Sequence, residues 1–162
     1  KIDLMQYLLD EPVCSAFAIT ATRDKKGADN QPIPVEDNAL CMLQMKGGSW
    51  GTVHASWTCY GNERNSTVID GSLGTLRIYD HPAYSCMIEK KDGEKLFYQT
   101  DDIQTNENQT RSGIVDAFIR AILTGEPSIS DGRHALSSMR AVFACLESSQ
   151  KQSKIEIIDS QM

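Results

Sequence analysis

The sequence predicts an α+β fold in which an open, predominantly antiparallel β-sheet carries helices on one face and leaves its other face available for dimerisation. Short β-rich segments follow one another closely between residues 13 and 100. Most connections between them are too short for parallel crossovers, which need a dozen residues or more. Helical periodicity replaces this pattern between residues 111 and 152. With 162 residues, of which 40% are hydrophobic, the chain is predicted to form one domain, residues 1–162.

The chain begins with a predicted helix. The segment "IDLMQYLL" has apolar residues at helical spacing, and Glu11-Pro12 ends it. No Ser, Thr, Asp or Asn precedes it to cap its first amide groups. A β-rich segment, "VCSAFAITATR", follows, and residues 24–34, with two prolines, predict a long loop.

A β-hairpin is predicted next, because "NALCMLQM" and "SWGTVHASWTCY" flank Gly47-Gly48. One face of its second strand carries mostly apolar side chains: Val53, Ala55, Trp57 and Cys59. The other face carries polar, uncharged ones: Thr52, His54, Ser56 and Thr58. The first set predicts packing against helices. The second fits either a wet cleft or a subunit interface, and the pattern leaves that choice open.

Four short strands and two helices complete the predicted elements. The strands are "STVIDG", "GTLRIYD", "YSCMIEKK" and "EKLFYQT". The first helix has apolar residues four apart and ends at Gly125 and Pro127. The second begins at Ser130 or Asp131, and one stripe carries Leu136, Met139, Phe143 and Leu146. A last strand, "SKIEIID", is predicted to return to the sheet.

Charge and composition exclude several classes of function. The net charge of −6 opposes binding to phosphate backbones, so no nucleic-acid partner is predicted. No apolar run approaches the ~20 residues that cross a bilayer, so no membrane partner is predicted either. The five cysteines lie in apolar stretches without metal-ligand spacing, which predicts free, packed thiols, no metal and a cytoplasmic location.

Four segments together resemble the C-terminal domain of the Gfo/Idh/MocA family, the glucose–fructose oxidoreductase and inositol dehydrogenase group. They are "IDLMQYLLDEPV", "VEDNALCMLQMKGGSWGTVHASW", "VIDGSLGTLRI" and "FIRAILTGEPSISDGRHALSSMRAVFACLESS". Their order and spacing are more specific than any one segment. The resemblance implies a parent NAD(P)-dependent oxidoreductase whose N-terminal Rossmann domain binds NAD or NADP, with no cofactor bound by residues 1–162.

The resemblance also implies where the catalytic residue lies. Family members carry an Asp-x-x-x-His-x-x-Asp helix whose histidine acts as acid/base on the substrate hydroxyl. The last Asp matches Asp3, so the histidine is expected immediately before Lys1 and no catalytic residue is expected in this chain. The sequence is accordingly expected to begin inside the catalytic helix, and the fragment is expected to be inactive alone.

What remains is a predicted wall of the substrate cleft. The family's loop after the hairpin corresponds to "WTCYGNERNS", and the candidate pocket residues are Asp3, Trp57, Tyr60, Glu63 and Arg64. Such groups suit a sugar or polyol, because each buried hydroxyl needs a partner. The predicted partners are the protein's own Rossmann domain and further copies, as a dimer or tetramer through the polar sheet face. Two alternatives remain open: a non-catalytic sugar sensor or transcriptional regulator, and a free-standing dimerisation module.

Overall fold

The structure, a computed structural model, describes residues 1–61, 64–99, 113–128 and 131–158. Its elements are α1 (Ile2–Leu9), β1 (Val13–Ala21), β2 (Asn38–Met45), β3 (Trp50–Ser56), β4 (Thr67–Gly71), β5 (Gly74–His81), β6 (Tyr84–Lys90), β7 (Lys95–Tyr98), α2 (Ile114–Thr124), α3 (Gly132–Lys151) and β8 (Ile155–Glu156). The predicted α+β class with antiparallel strands is confirmed.

The strands are shared between two four-stranded sheets, with the orders β3-β2-β1-β8 and β4-β5-β6-β7. They correspond to two compact units, one formed by Lys1–Tyr60 with Ile114–Met162 and the other by Gly61–Gly113. The sequence predicted one sheet, because its strands follow one another closely. The division falls between β3 and β4, whose connection, residues 57–66, is longer than the two to five residues of an ordinary hairpin loop.

In the first unit, β1 and β2 form the centre of the sheet. Ala16 lies opposite Leu43, and Cys41 lies opposite Val53 of β3, as the predicted hairpin requires. The predicted return of the last strand is also confirmed, since β8 pairs antiparallel with β1 at Ser15 and Ala16.

Helix α3 covers one face of this sheet through its small side chains. Ala141, Ala144 and Cys145 are buried against a sheet face that includes Leu43 and Met45. The larger apolar residues Leu136, Met139 and Phe143 are 39–59% exposed. Helix α3 thus carries two apolar stripes, and the small-residue stripe lies against the strands because it allows a close approach.

The predicted helix ends are confirmed. Gly125 follows α2 with φ of 72°, a conformation that favours glycine, and donates its N–H to Ala121 O at 2.9 Å. Asp131 caps α3, because its side chain accepts hydrogen bonds from the N–H groups of Arg133 and His134. Ser130, the alternative cap, lies outside the described residues.

The face of the sheet opposite α3 is more apolar than the sequence of β3 alone indicated. It exposes large side chains, 40–72% accessible: Phe17, Ile19, Leu40, Met42 and Trp50. The polar Thr52 and His54 lie on this face, as predicted. Of the set predicted to pack against helices, Val53 contacts the core, whereas Ala55 is exposed within β3. Trp57 and Cys59 are also exposed, because β3 ends at Ser56.

The second unit is a four-stranded meander. Arg77 of β5 pairs with Glu89 of β6 at 3.0 Å, and Lys95 of β7 pairs with the same carboxylate at 2.7 Å. The ring of Tyr84 packs on that of Phe97, with 4.7 Å between centroids. These cross-strand contacts fix the order of the strands.

Among the described residues, no helix is both long enough and apolar enough to cross a bilayer.

Candidate functional site

A buried carboxylate lies immediately before β2. Asp37 is only 3% exposed. Its two oxygens accept hydrogen bonds from the backbone N–H groups of Arg23, Asp24 and Lys25 at 2.8, 2.9 and 2.8 Å. The side-chain amide of Asn38 donates a fourth hydrogen bond at 2.8 Å. One side chain therefore fixes three consecutive backbone groups of the preceding loop.

These contacts determine the protonation of Asp37. Burial by itself raises the pKa of this carboxyl, but the three backbone N–H groups and the Asn38 amide outweigh burial and hold the pKa well below its usual range. The group is ionised at any physiological pH. The ionised carboxylate is therefore suited to anchoring the loop.

The main chain of Asp37 also holds the segment that follows β3. Trp57 N donates to Asp37 O at 2.8 Å. One residue on, the Thr58 hydroxyl lies 2.9 Å from Asn38 Nδ2 and 3.1 Å from Ser56 Oγ. Residues 37–38 therefore tie together both connections at this end of the sheet, residues 22–36 and residues 57–60.

Tyr60 joins these two connections through its side chain. Its hydroxyl donates a hydrogen bond to the Asp24 carboxylate, and Lys25 Nζ lies 5.5 Å from the centroid of its ring. The Asp24 hydrogen bond, followed by the negative charge of that carboxylate, raises the pKa of Tyr60. Trp57 and Tyr60 are 67% and 78% exposed. The result is an open surface with two aromatic rings, a carboxylate and an ammonium group.

A shallow pocket borders this surface. It measures about 190 Å³ and is lined by Glu36, Asp37, Asn38, Ala39, Ala55, Ser56 and Trp57. Pockets that enclose a small molecule usually measure roughly 300–1,000 Å³. This pocket is therefore smaller than a typical enclosed small-molecule site.

Asp3 lies elsewhere on the first unit. It accepts a hydrogen bond from Ser138 Oγ of α3 at 2.8 Å, next to a bond from Gln6 Nε2 to the same hydroxyl at 2.9 Å. A Cβ atom added at Gly51 of β3 would lie 2.7 Å from Met5 Cε of α1. No described side-chain contact joins Asp3 to Trp57 or Tyr60.

The other two predicted residues do not belong to the first unit. Arg64 is exposed and belongs to the second unit, Gly61–Gly113. Glu63 lies outside the described residues. Of the five predicted pocket residues, Trp57 and Tyr60 are thus the two that lie on one loop of the first unit.

Sequence reasoning missed Asp24, Lys25 and Asp37. The segment "VEDN" carries no periodic signal, and a carboxylate before a strand is usually solvated. Asp37 stands out because it binds backbone N–H groups of a loop twelve to fourteen residues away. The local sequence does not indicate that these groups lie next to it. The only available signal was the dense polar loop that ends at this position.

The sequence also predicted the absence of a metal site and the packing of the thiols. The described residues contain no group of three His, Cys, Asp or Glu side chains that could hold a metal ion. All five cysteines are free. Cys41 and Cys145 are buried, but Cys59 is exposed, which corrects the prediction that every thiol packs as a hydrophobe. Cys59 lies in an apolar stretch of sequence, but it follows Ser56, the last residue of β3.

The described residues offer no dinucleotide site. Every strand pair in the described part of the chain is antiparallel. A dinucleotide-binding unit requires a strand, a glycine-rich turn and a helix leading to a parallel strand. The described residues therefore contain no dinucleotide-binding unit of this kind.

The described residues thus form an α+β fold with an open surface of polar and aromatic side chains. Residues 1–77 match a family model described as the GFO/IDH/MocA C-terminal domain. The resemblance to the C-terminal domain of the Gfo/Idh/MocA family is thereby confirmed.

Solved structures share the fold over almost the whole chain. The WlbA dehydrogenase from Bordetella pertussis, in complex with NADH and UDP-GlcNAcA, is 22% identical with a TM-score of 0.69, over 97% of this chain and 42% of that one. An oxidoreductase from Agrobacterium radiobacter, in complex with NAD⁺, L-tartaric acid and magnesium, is 20% identical with a TM-score of 0.75, over 96% and 46%.

Levoglucosan dehydrogenase, in complex with NADH and levoglucosan, is 19% identical with a TM-score of 0.76, over 99% of this chain and 48% of that one. No curated protein matches the sequence. The chain spans less than half the length of each of these three structures, and at such identities the likeness is one of fold.

Proposed function

We propose that this chain is the substrate-binding and oligomerisation domain of an NAD(P)-dependent oxidoreductase that acts on a sugar, a polyol or a related hydroxy compound. The observation that carries the proposal is the exposed pair of rings, Trp57 and Tyr60, beside Asp24 and Lys25. The structures that share the fold support it, because their ligands include NADH with levoglucosan and NAD⁺ with L-tartaric acid.

The side chains on this surface suit a polyhydroxylated ligand. An aromatic ring covers the C–H face of a sugar, while carboxylates accept and ammonium groups donate hydrogen bonds to its hydroxyls. Because a buried hydroxyl without a partner costs free energy, a sugar site needs several such groups within reach. Trp57 and Tyr60 would bind the ring, and the polar groups would fix which hydroxyl is presented for reaction.

The redox chemistry would be supplied by the nicotinamide, which exchanges a hydride with the substrate carbon. Since the described residues contain no such dinucleotide-binding unit, the cofactor is proposed to bind a Rossmann domain outside this sequence. The proton is proposed to pass to a histidine immediately before Lys1, as the family resemblance implies. Asp3 would border that position, with its carboxylate held by Ser138. Arg64 and Glu63 remain proposed pocket residues.

Oligomerisation is proposed through the sheet face opposite α3. Five large apolar side chains are exposed there: Phe17, Ile19, Leu40, Met42 and Trp50. An apolar sheet face of this kind is a common interaction surface. A second copy is the proposed occupant, giving a dimer or tetramer. A cytoplasmic location remains a prediction from the unpaired cysteines.

The proposal is tested by assaying the intact gene product for reduction of NAD⁺ and NADP⁺ in the presence of levoglucosan, myo-inositol or L-tartrate. We expect NADH to form with at least one of these compounds. Nicotinamide binding and sugar binding without turnover would favour the sensor alternative instead. An intact protein that binds no nicotinamide cofactor would contradict the proposal.

A further inference from the structure

We propose that Asp24 and Lys25 form, together with Tyr60, a second wall of the substrate-binding surface, and that Asp37 is the residue that positions this wall. The inference rests on the proposed function, because it assigns further residues to the same surface. It adds two binding residues and one positioning residue to those that the sequence predicted.

The first step concerns the backbone of residues 23–25. Three consecutive N–H groups donate to one carboxylate at 2.8–2.9 Å. Such an arrangement leaves little freedom in the main chain, although the segment belongs to a long connection between β1 and β2. The side chains of Asp24 and Lys25 therefore project from a fixed base on an otherwise irregular loop.

The second step concerns the contact with Tyr60. The Tyr60 hydroxyl donates its proton to Asp24, so its own lone pairs remain available to accept from a ligand hydroxyl. Lys25 Nζ, 5.5 Å from the centre of the same ring, has three protons to donate. The wall can thus both accept from and donate to neighbouring hydroxyls, which matches the chemistry of a vicinal diol.

The third step separates the two roles of Asp37. Its side chain holds residues 23–25, whereas its backbone carbonyl holds Trp57 N. Asparagine in its place keeps one acceptor oxygen, loses the charge and the acceptor of the Asp24 and Lys25 N–H groups, and leaves the backbone contact with Trp57 in place. Loss of the carboxylate should therefore displace Asp24, Lys25 and their contact with Tyr60, while Trp57 keeps its position.

The experiment measures the KM of the sugar, the KM of NAD⁺ and kcat for the intact gene product, with levoglucosan and myo-inositol as probes. Lys25→Met and Asp24→Asn are expected to raise the KM of the sugar about tenfold, the effect of losing one charged hydrogen bond, while the KM of NAD⁺ stays constant. The matched control, Lys26→Met, changes an exposed neighbouring lysine and should alter neither constant.

The positioning role is tested by combining variants. Asp37→Asn should raise the KM of the sugar and should cancel most of the further effect of Lys25→Met, because the two residues act as a unit. Asp29→Asn, at an exposed carboxylate of the same loop, is the control. A purely structural role would lower the Tm and leave the effect of Lys25→Met undiminished, which would overturn the positioning claim.

Hydrogen exchange tests the positioning role of Asp37 without a variant. The amides of residues 23–25 in the unaltered protein are expected to exchange slowly. If Asp37→Asn does not fold, fast exchange of these amides would overturn the positioning claim. NADH binding and turnover with an unchanged sugar KM in both Lys25→Met and Asp24→Asn would overturn this inference alone. An intact protein that binds neither NADH nor NADPH, or that turns over neither probe with either cofactor, would overturn the sugar dehydrogenase assignment and the inference with it.

Discussion

The hydroxyl of Ser148 on α3 accepts a hydrogen bond from Ala18 N of β1 at 3.0 Å and donates one to Ser153 O at 2.6 Å. Among the described residues, β8 pairs with β1 at Ser15 and Ala16, and Ile157 N donates to Cys14 O at 2.8 Å. Farther along β1, the serine hydroxyls of the helix accept hydrogen bonds from the N–H groups of Ala18 and Thr20. Helix α3 is therefore held on the sheet by specific hydrogen bonds as well as by the packing of small side chains.

The variant Ser148→Ala should lower the free energy of unfolding by about 1–3 kcal/mol, because it leaves the buried amide of Ala18 without a partner. Urea unfolding followed by circular dichroism measures the change. Ser149→Ala is the matched control. It removes the acceptor of Thr20 N, which is only half-buried and can be hydrated, so the loss should be smaller. Equal losses for the two variants would count against this explanation.

Stability at low pH should depend on Asp37. The pKa of this carboxyl is held below its usual value of about 4, so the unfolded chain takes up its proton at a higher pH than the folded chain. The stabilisation is complete above about pH 5 and is lost as the pH falls below about 4 toward the folded-state pKa. The Tm of Asp37→Asn should therefore fall less steeply than that of the unaltered protein between about pH 5 and 3. Asp29→Asn should retain the steep fall.

The cysteines should differ widely in reactivity toward dithionitrobenzoate. Cys59 is exposed and should react first, whereas Cys41 and Cys145 are buried and should react only on unfolding. The hydrogen bond with the Cys41 thiol, followed by burial, raises the pKa of Cys145 and lowers its thiolate fraction. Cys59→Ser should remove the fast phase of the reaction. Persistence of that phase would show that another thiol is accessible.

Self-association should depend on the sheet face opposite α3. Met42→Glu introduces a charge at the centre of the apolar surface and should convert a dimer or tetramer into a smaller species, as measured by light scattering during gel filtration. Val35→Glu introduces the same charge at a residue of similar exposure, 51%, in the loop before β2. That control should keep the original mass. A loss of mass in both variants would argue against an interface on this face.

Elements with local signals could be predicted from the sequence. The Gly47-Gly48 hairpin, the end of α2 at Gly125 and the Asp131 cap all depend on residues within a few positions of one another. Features that depend on tertiary contacts could not be predicted in this way. Helix α3 carries two apolar stripes, and periodicity does not indicate that the smaller residues, and not Leu136 or Phe143, lie on the sheet.

The candidate site shows the same limit. The aromatic residues Trp57 and Tyr60 could be chosen because the loop after the hairpin is defined by resemblance. Asp37 could not be chosen in this way. Its importance arises from its hydrogen bonds with the amides of residues 23–25, which lie next to the start of β2 in the folded chain. The long polar loop between β1 and β2 was predicted, but the contacts of Asp24 and Lys25 with Tyr60 were not.

The central claim is that this chain supplies the substrate wall of an enzyme whose cofactor site lies on another domain. The most direct test titrates NADH and, separately, NADPH into the 162-residue chain and into the intact gene product, with protein-to-nicotinamide energy transfer as the signal. The account predicts micromolar binding to the intact protein and none to the isolated chain. Tight binding to the isolated chain, or none to the intact protein, would contradict it.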